Sequence, residues 1–174
     1  YLKKLRLILN ILVIAAHPDD EVLGMGATIS KLTKEKNDVH LCVVTEGATA
    51  QYDDKKMIKV RKNSCIKAGK ILGIKKIEFL EYPDMLLDTV PHLELNKKIE
   101  KIIKKLKPDI VFTTPQNDLN RDHQLVYEST LVATRSHSSK VKKIFSYEIP
   151  STTKEPFFPN TYFDISKEFN TKIK

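Results

Sequence analysis

A chain of 174 residues, 41% hydrophobic and 30% charged, has enough apolar residues for a core, which excludes a disordered or fibrous polymer. At this length about two-thirds of the unfolded surface is buried on folding, so neither disulfides nor a structural metal is needed, and a metal would serve chemistry. The net charge of +8 raises a nucleic-acid partner, but no nucleic-acid motif accompanies it and lysines gather on helix faces, so no specific nucleic acid is expected.

The apolar run Ile8–Ala16 reads as a buried strand. The run Leu7–Ala16 is too short to cross a membrane, has no small-residue cleavage site and leads into a His-Pro turn, so neither a transmembrane segment nor a secretory signal is expected. A helix pattern covers Asp20–Thr33, with Gly24 and Gly26 read as allowing close helix–sheet packing. A strand over Val39–Thr45 is closed by Glu46-Gly47, and a helix over Asp53–Leu72 carries Ile58, Cys65, Ala68 and Leu72 on one face and stops at Gly73. The strand Ile77–Leu80 leads to the Tyr82-Pro83-Asp84 loop. The Lys-rich helix His92–Lys107 buries Ile99, Ile102, Ile103 and Leu106 and turns its lysines to water. Pro108 starts strand Ile110–Thr114, which is followed by a polar loop, Gln116–Arg121, and a helix over Asp122–Arg135. A fifth strand is predicted at Lys143–Glu148, a further one at Thr161–Ile165 beyond Pro150, Pro156 and Pro159, and a helical pattern at Ser166–Lys174. Cys42 and Cys65, far apart and set in apolar patterns, read as buried free thiols, which suits a reducing, cytoplasmic compartment.

Strand–helix alternation predicts an α/β fold, a three-layer sandwich with a mainly parallel sheet, because right-handed crossovers place helices on both faces. In the common strand order 3-2-1-4-5, strands 1 and 4 are neighbours where the order reverses, and ligands bind there, beyond the carboxyl ends. The loops after strands 1 and 4 then converge.

Those two loops hold the unusual residues. After strand 1 comes Ala15-Ala16-His17-Pro18-Asp19-Asp20-Glu21. A His and a carboxylate three residues apart across a Pro-fixed turn can face one centre, and imidazole and carboxylate are usual zinc ligands. Capping of the next helix by Asp19 or Asp20 accounts for one carboxylate, not for two plus His17. After strand 4 comes Asn117-Asp118-Leu119-Asn120-Arg121-Asp122-His123, where His123 can complete a two-His, one-carboxylate set that leaves a position open for water.

On the block Ala16-His17-Pro18-Asp19-Asp20-Glu21 with Gly24 and Gly26, and on Thr45-Glu46-Gly47, Arg61, Leu72-Gly73, Asp84, Lys107-Pro108-Asp109 and Asp122-His123 in that order, the chain resembles the LmbE-like, or PIG-L, family of zinc-dependent N-deacetylases. The resemblance implies a Rossmann-like α/β fold and a single LmbE-like deacetylase domain over residues 1–174, cut short at its C-terminus. It implies removal of an acetyl group from an N-acetylated sugar, small or lipid-linked. It also implies His17, Asp20 and His123 as zinc ligands, Asp19 as general base, and Arg61 and Asp84 as groups that grip sugar hydroxyls. The chain departs from the family at Asn120, where a His often stands to stabilise the oxyanion, and at Ser64, where many members carry a Glu. Asn120 can still donate a neutral hydrogen bond to an oxyanion, and Asp122 is placed to orient a ligand or Asn120. The same donors accept iron or cobalt, and a homo-oligomer is compatible with this reading. The competing readings are a metal-dependent hydrolase of another small amide or ester, and an inactive sugar-binding module.

Overall fold

In the computed structural model, which describes residues 7–150 and 152–174, strands and helices alternate along most of the chain. The strands β1 (Asn10–Ala15), β2 (Asp38–Thr45), β3 (Lys76–Tyr82), β4 (Ile110–Thr113) and β5 (Lys143–Ser146) form one parallel sheet in the order β3-β2-β1-β4-β5. The helices are α1 (Asp20–Lys34), α2 (Lys56–Leu72), α3 (His92–Leu106), α4 (Arg121–Ala133) and the short α5 (Phe169–Lys172).

β1 explains why the sandwich has three layers. Its side chains alternate across the sheet, and both faces are dry. Ile11, Val13 and Ala15 join Ile29 of α1 and Cys65 and Leu72 of α2 in one apolar cluster, while Leu12 and Ile14 join Ile99 of α3 and Val126 of α4 in another. On α3 the buried stripe is Leu95, Ile99, Ile102 and Ile103, with Leu106 half-buried. β1 lies between β2 and β4, with Val13 opposite Leu41 on one side and Phe112 on the other. The chain order reverses at the β1/β4 pair, so the loops leaving these strands meet.

Two close approaches shape that meeting point. Gly24 of α1 lies against Tyr147, where an added Cβ would come 2.4 Å from the ring and 2.7 Å from the Glu148 carbonyl oxygen. Gly47, after β2, has a φ of +61° and leaves room for Pro18, whose ring would lie 2.2 Å from a Cβ. Gly26 has only ordinary contacts, at 3.4 Å or more, so close packing on α1 needs Gly24 alone.

Three sequence expectations change. β5 ends at Ser146 instead of Glu148, because Tyr147 turns inward and donates its hydroxyl to the Ile14 carbonyl oxygen at 3.0 Å. Thr161–Ile165 forms no strand. Phe163 and Ile165 alternate inward as a strand's residues do, but Phe163 lies over the sheet with its ring 6.1 Å from Phe112 and 6.2 Å from Phe145. The Ser166–Lys174 pattern yields a helix only at Phe169–Lys172.

These contacts separate the two neighbouring glycines. Gly24→Ala should destabilise the protein by about 1–3 kcal/mol through overpacking. Gly26→Ala should be neutral or stabilise it by up to about 1 kcal/mol, the difference in helix propensity. Urea midpoints of the two variants test this, and equal shifts would contradict it.

Candidate metal centre

His17 and Asp20 leave β1 together. The Asp20 carboxylate folds back so that its Oδ2 accepts the His17 backbone N–H at 2.8 Å, locking the three-residue turn. Asp19 occupies the N-cap position of α1, yet its carboxylate reaches Arg61 of α2, with Nη2 to Oδ2 at 2.9 Å. The capping expectation therefore accounts for neither carboxylate. His123, in the first turn of α4, is anchored by its own carbonyl, which accepts the Thr114 hydroxyl at 2.8 Å.

The two imidazoles meet as the strand order requires. His17 Nδ1 lies 3.1 Å from His123 Nε2, Asp20 Oδ2 lies 3.4 Å from His17 Nδ1, and Asp20 Oδ1 lies 3.3 Å from His123 Nε2. All three residues are buried.

Carboxylates stand behind both rings. His17 Nε2 faces Asp122 Oδ2 and Asp84 Oδ1, each at 3.2 Å, and Asp122 takes the hydrogen bond. His123 Nδ1 lies 2.9 Å from Asp118 Oδ2, at an angle short of a straight hydrogen bond. With the ring proton of each neutral imidazole on the outer nitrogen, where the carboxylates stand, the inner nitrogens turn their lone pairs to each other and to Asp20.

That arrangement fits a divalent cation. Ligands of a tetrahedral ion with bonds of about 2.0–2.2 Å lie about 3.3–3.6 Å apart, close to the 3.1–3.4 Å separations of these donor atoms. Two lone pairs facing each other across 3.1 Å repel unless a proton or a cation lies between them. His17, Asp20 and His123 are thus a group able to hold a metal ion. A second grouping, His17 with Asp84 and Asp122, shares the same imidazole through its other nitrogen.

The remaining predicted residues have defined places. Asn120 is the N-cap of α4, its Oδ1 accepting the Asp122 N–H at 2.9 Å. Asp122 also accepts backbone N–H groups of Met85 at 2.8 Å and Leu87 at 3.1 Å, fastening the loop after β3 to the centre. Arg61 is engaged by Asp19, while its buried Nε has no hydrogen-bond partner among the described residues. Asp84, also buried, turns toward His17. Sequence reasoning gave no role to Asp118, which is fully buried. Its signal was present, an Asp in the same short loop as His123. Glu46 was also missed. It accepts the Ala48 N–H at 2.7 Å and the Asp84 N–H at 3.2 Å, joining the loops after β2 and β3.

Fold and centre together define a three-layer α/β protein with a metal-competent cluster where β1 and β4 end. Residues 12–134 match the PIG-L family, GlcNAc-PI de-N-acetylase, and the chain belongs to that family. It is 34% identical over 170 residues to the uncharacterized deacetylase YaiS of Escherichia coli K12, spanning 93% of this chain and 85% of that protein. It is 34% identical over 106 residues to the diacetylchitobiose deacetylase of Thermococcus kodakarensis, a match to 59% of this chain and 39% of that enzyme. Among solved structures it is similar to the N,N'-diacetylchitobiose deacetylase of Pyrococcus horikoshii, with a TM-score of 0.77 and 25% identity over 94% of this chain and 66% of that one. Among the described residues no helix is long and apolar enough to cross a membrane.

Without a metal, protons take its place. Burial pulls the His17 imidazolium down, but the surrounding carboxylates of Asp122, Asp20 and Asp84 outweigh it and raise its pKa to about 12. For His123 burial is likewise overcome, by Asp118 and Asp20, and the pKa rises to about 9. Burial would raise Asp20, but its hydrogen bonds with His123 and His17 hold it well below the usual carboxylate range. Glu21, packed behind them and in contact with the Cys65 thiol, is pushed up by burial to about 8. Folded values above the unfolded ones, about 6.5 for His and about 4.3 for Glu, mean that the folded chain binds protons the unfolded chain releases. The stability so gained is full below the unfolded values and is lost as pH rises through about 8 for Glu21 and about 9 for His123.

Urea midpoints of the metal-free protein should therefore fall from about pH 6.5 to about pH 9.5. Saturating zinc, which needs the inner lone pairs free of protons, should stabilise the protein more at about pH 8 than at about pH 6. A metal-free profile that rises across this range contradicts the proton positions assigned above.

Proposed function

We propose that this chain hydrolyses the acetamide of an N-acetylated sugar at a zinc ion held by His17 Nδ1, His123 Nε2 and the Asp20 carboxylate. The observation that carries the reading is the convergence of those donors at 3.1–3.4 Å, each imidazole backed by carboxylates, in a chain of a family named for de-N-acetylation. Relatives named as diacetylchitobiose deacetylases support an N-acetylglucosamine-type substrate. The free, buried Cys42 and Cys65 support a reducing, cytoplasmic setting.

A bound zinc ion would supply a Lewis acid that polarises the amide carbonyl and brings the pKa of water toward about 7. The protein's own groups handle protons and orientation. Asp19 is the general base in this reading. Its carboxylate is 39% exposed, open to water and substrate where the other carboxylates of the cluster are buried. Arg61, at 2.9 Å, restricts Asp19 to one orientation. Asp19 takes a proton from the attacking water and returns it to the departing amine, so the tetrahedral adduct collapses to acetate and a free amino sugar. Asp122, fixed by two backbone N–H groups, keeps the His17 proton on Nε2 and its lone pair inward. Asp84 stands by the same nitrogen and is the carboxylate left for a sugar hydroxyl. Asn120 spends its Oδ1 on the helix cap, and its amide N–H groups are left for the developing oxyanion.

Asp19→Asn should keep stoichiometric zinc while deacetylation of N-acetylglucosamine and diacetylchitobiose, followed by free-amine release, falls by about 100-fold to 10,000-fold. His123→Ala should lose tight zinc binding and activity together. Loss of zinc from Asp19→Asn would make Asp19 a ligand. A zinc-loaded wild type inert toward every acetamide sugar offered would leave a binding module, and full zinc content in His123→Ala would remove the proposed coordination.

A further inference from the structure

The Pro-interrupted stretch between β5 and Thr161 carried no role in the sequence reading. From its contacts we infer that it is part of the metal centre: Thr152 is a positioning residue that holds Asp118, and through Asp118 the ring of His123. The inference rests on the zinc reading above and extends it to a residue far from any ligand in sequence.

Asp118 is fully buried, and its two oxygens are fixed in different ways. Oδ1 accepts the Asn120 backbone N–H at 2.8 Å, a contact made within its own turn. Oδ2 is the oxygen that faces His123 Nδ1 at 2.9 Å, and it accepts the Thr152 hydroxyl at 2.7 Å. The ring alone does not align this oxygen, because its contact with Oδ2 is bent away from a straight hydrogen bond. The Thr152 hydroxyl also lies 3.3 Å from the Ile149 carbonyl oxygen. It has one proton, and the shorter contact with a carboxylate is the stronger one.

The hydroxyl is held in place by backbone pairing. Leu119 donates its N–H to the Thr152 carbonyl at 2.7 Å, Lys154 donates to the Asn117 carbonyl at 3.1 Å, and Asp118 and Thr153 form an antiparallel bridge. Residues 152–154 therefore lie along residues 117–119 as a short strap, so the Thr152 hydroxyl reaches Oδ2 at a fixed height.

A carboxylate behind a ligating imidazole fixes the ring's tautomer and direction and raises its basicity, and losing such a partner costs about 10-fold to 100-fold in metal affinity. Without the Thr152 hydroxyl, Asp118 keeps one anchored oxygen and is free to rotate the other away from His123. The expected loss is a fraction of that range.

The test is zinc affinity at fixed pH, measured by competition with a chromophoric chelator, for the wild type and four variants. Thr152→Val, nearly the same shape without the hydroxyl, should weaken zinc binding by about 3-fold to 30-fold, and Asp118→Asn by about 10-fold to 100-fold. Thr152→Ser, which restores the hydroxyl, should return to within about 2-fold of wild type. Thr152→Ala gives a second hydroxyl-free variant should the Val form fold poorly. In the zinc-loaded proteins, the proton NMR signal of His123 Nδ1–H should move in Thr152→Val and return in Thr152→Ser, a change that general loosening of the segment does not produce. Wild-type affinity in both hydroxyl-free variants, with Asp118→Asn weakened, overturns the role of Thr152 while leaving the metal centre intact. Equal weakening in the Val and Ser variants overturns it too, since the hydroxyl would then not matter. Absence of zinc binding in the wild type overturns the metal reading itself and this inference with it.

Discussion

The centre depends on an imbalance of charge that the fold creates and must then satisfy. Asp20, Asp84, Asp118 and Asp122 are all buried around two histidines. Removing one partner from a buried ion pair costs about 3–5 kcal/mol, because the charge left behind has lost its water. Backbone N–H groups, a threonine hydroxyl and the outer imidazole protons supply part of the compensation. The inner side of the cluster, where Asp20 meets two lone pairs, is left to a cation. The proposed zinc reading gives each histidine a polarity that follows from this, with carboxylates behind the ring and the metal in front.

The rest of the fold brings these groups together and holds them still. A parallel sheet sends each strand's carboxyl end to the same edge, and reversal of strand order at β1 and β4 makes two distant loops neighbours. Smaller contacts tighten the arrangement. Pro18 packs over Gly47, Glu46 ties the turn after β2 to Asp84, and Asp122 holds the Met85–Leu87 backbone. Four loops and the first turns of α1 and α4 are joined in this way around one point, which stiffens the site. Such stiffness suits catalysis, because an electrostatic site works best when its dipoles are oriented before substrate arrives.

Division of labour among the acidic residues follows burial. Asp20 is buried and turned toward both imidazoles, as the proposed ligand role requires. Asp118 and Asp122 are buried behind the rings, and their oxygens are also taken up by backbone N–H groups and a threonine hydroxyl. Asp19 is the half-exposed carboxylate, paired with an arginine at 2.9 Å, which suits the base role proposed for it. Neighbours in sequence, Asp19 and Asp20 differ because a helix start points successive side chains in different directions. One faces the helix α2 and the other the imidazoles.

Much of this was legible in the linear chain. The continuous apolar run of β1, the 3.6-residue stripe of α3 and the alternation of strand with helix indicated the architecture, because those patterns reflect local burial, while the expected strand order was simply the common one for such folds and is the order the sheet adopts. Two histidines and adjacent acids at strand ends pointed to the place where the structure brings His17, Asp20 and His123 together, since polar residues there are costly without a purpose. The failures share a cause. Thr161–Ile165 has a strand's alternation, but pairing depends on whether a neighbouring edge is free, and there Phe163 lies over the sheet instead. Arg61 and Asp84 were recognisable as functional types, yet their partners, Asp19 and His17, are 42 and 67 residues away. Asp118 and Thr152 are 34 residues apart and become a unit only when the chain beyond β5 folds back along the loop after β4. Burial periodicity and chemical type are properties of neighbouring residues, and a sequence displays them. Which nitrogen of a histidine faces a carboxylate, and which hydroxyl steadies that carboxylate, is decided by distances between remote segments, and only the folded chain sets those.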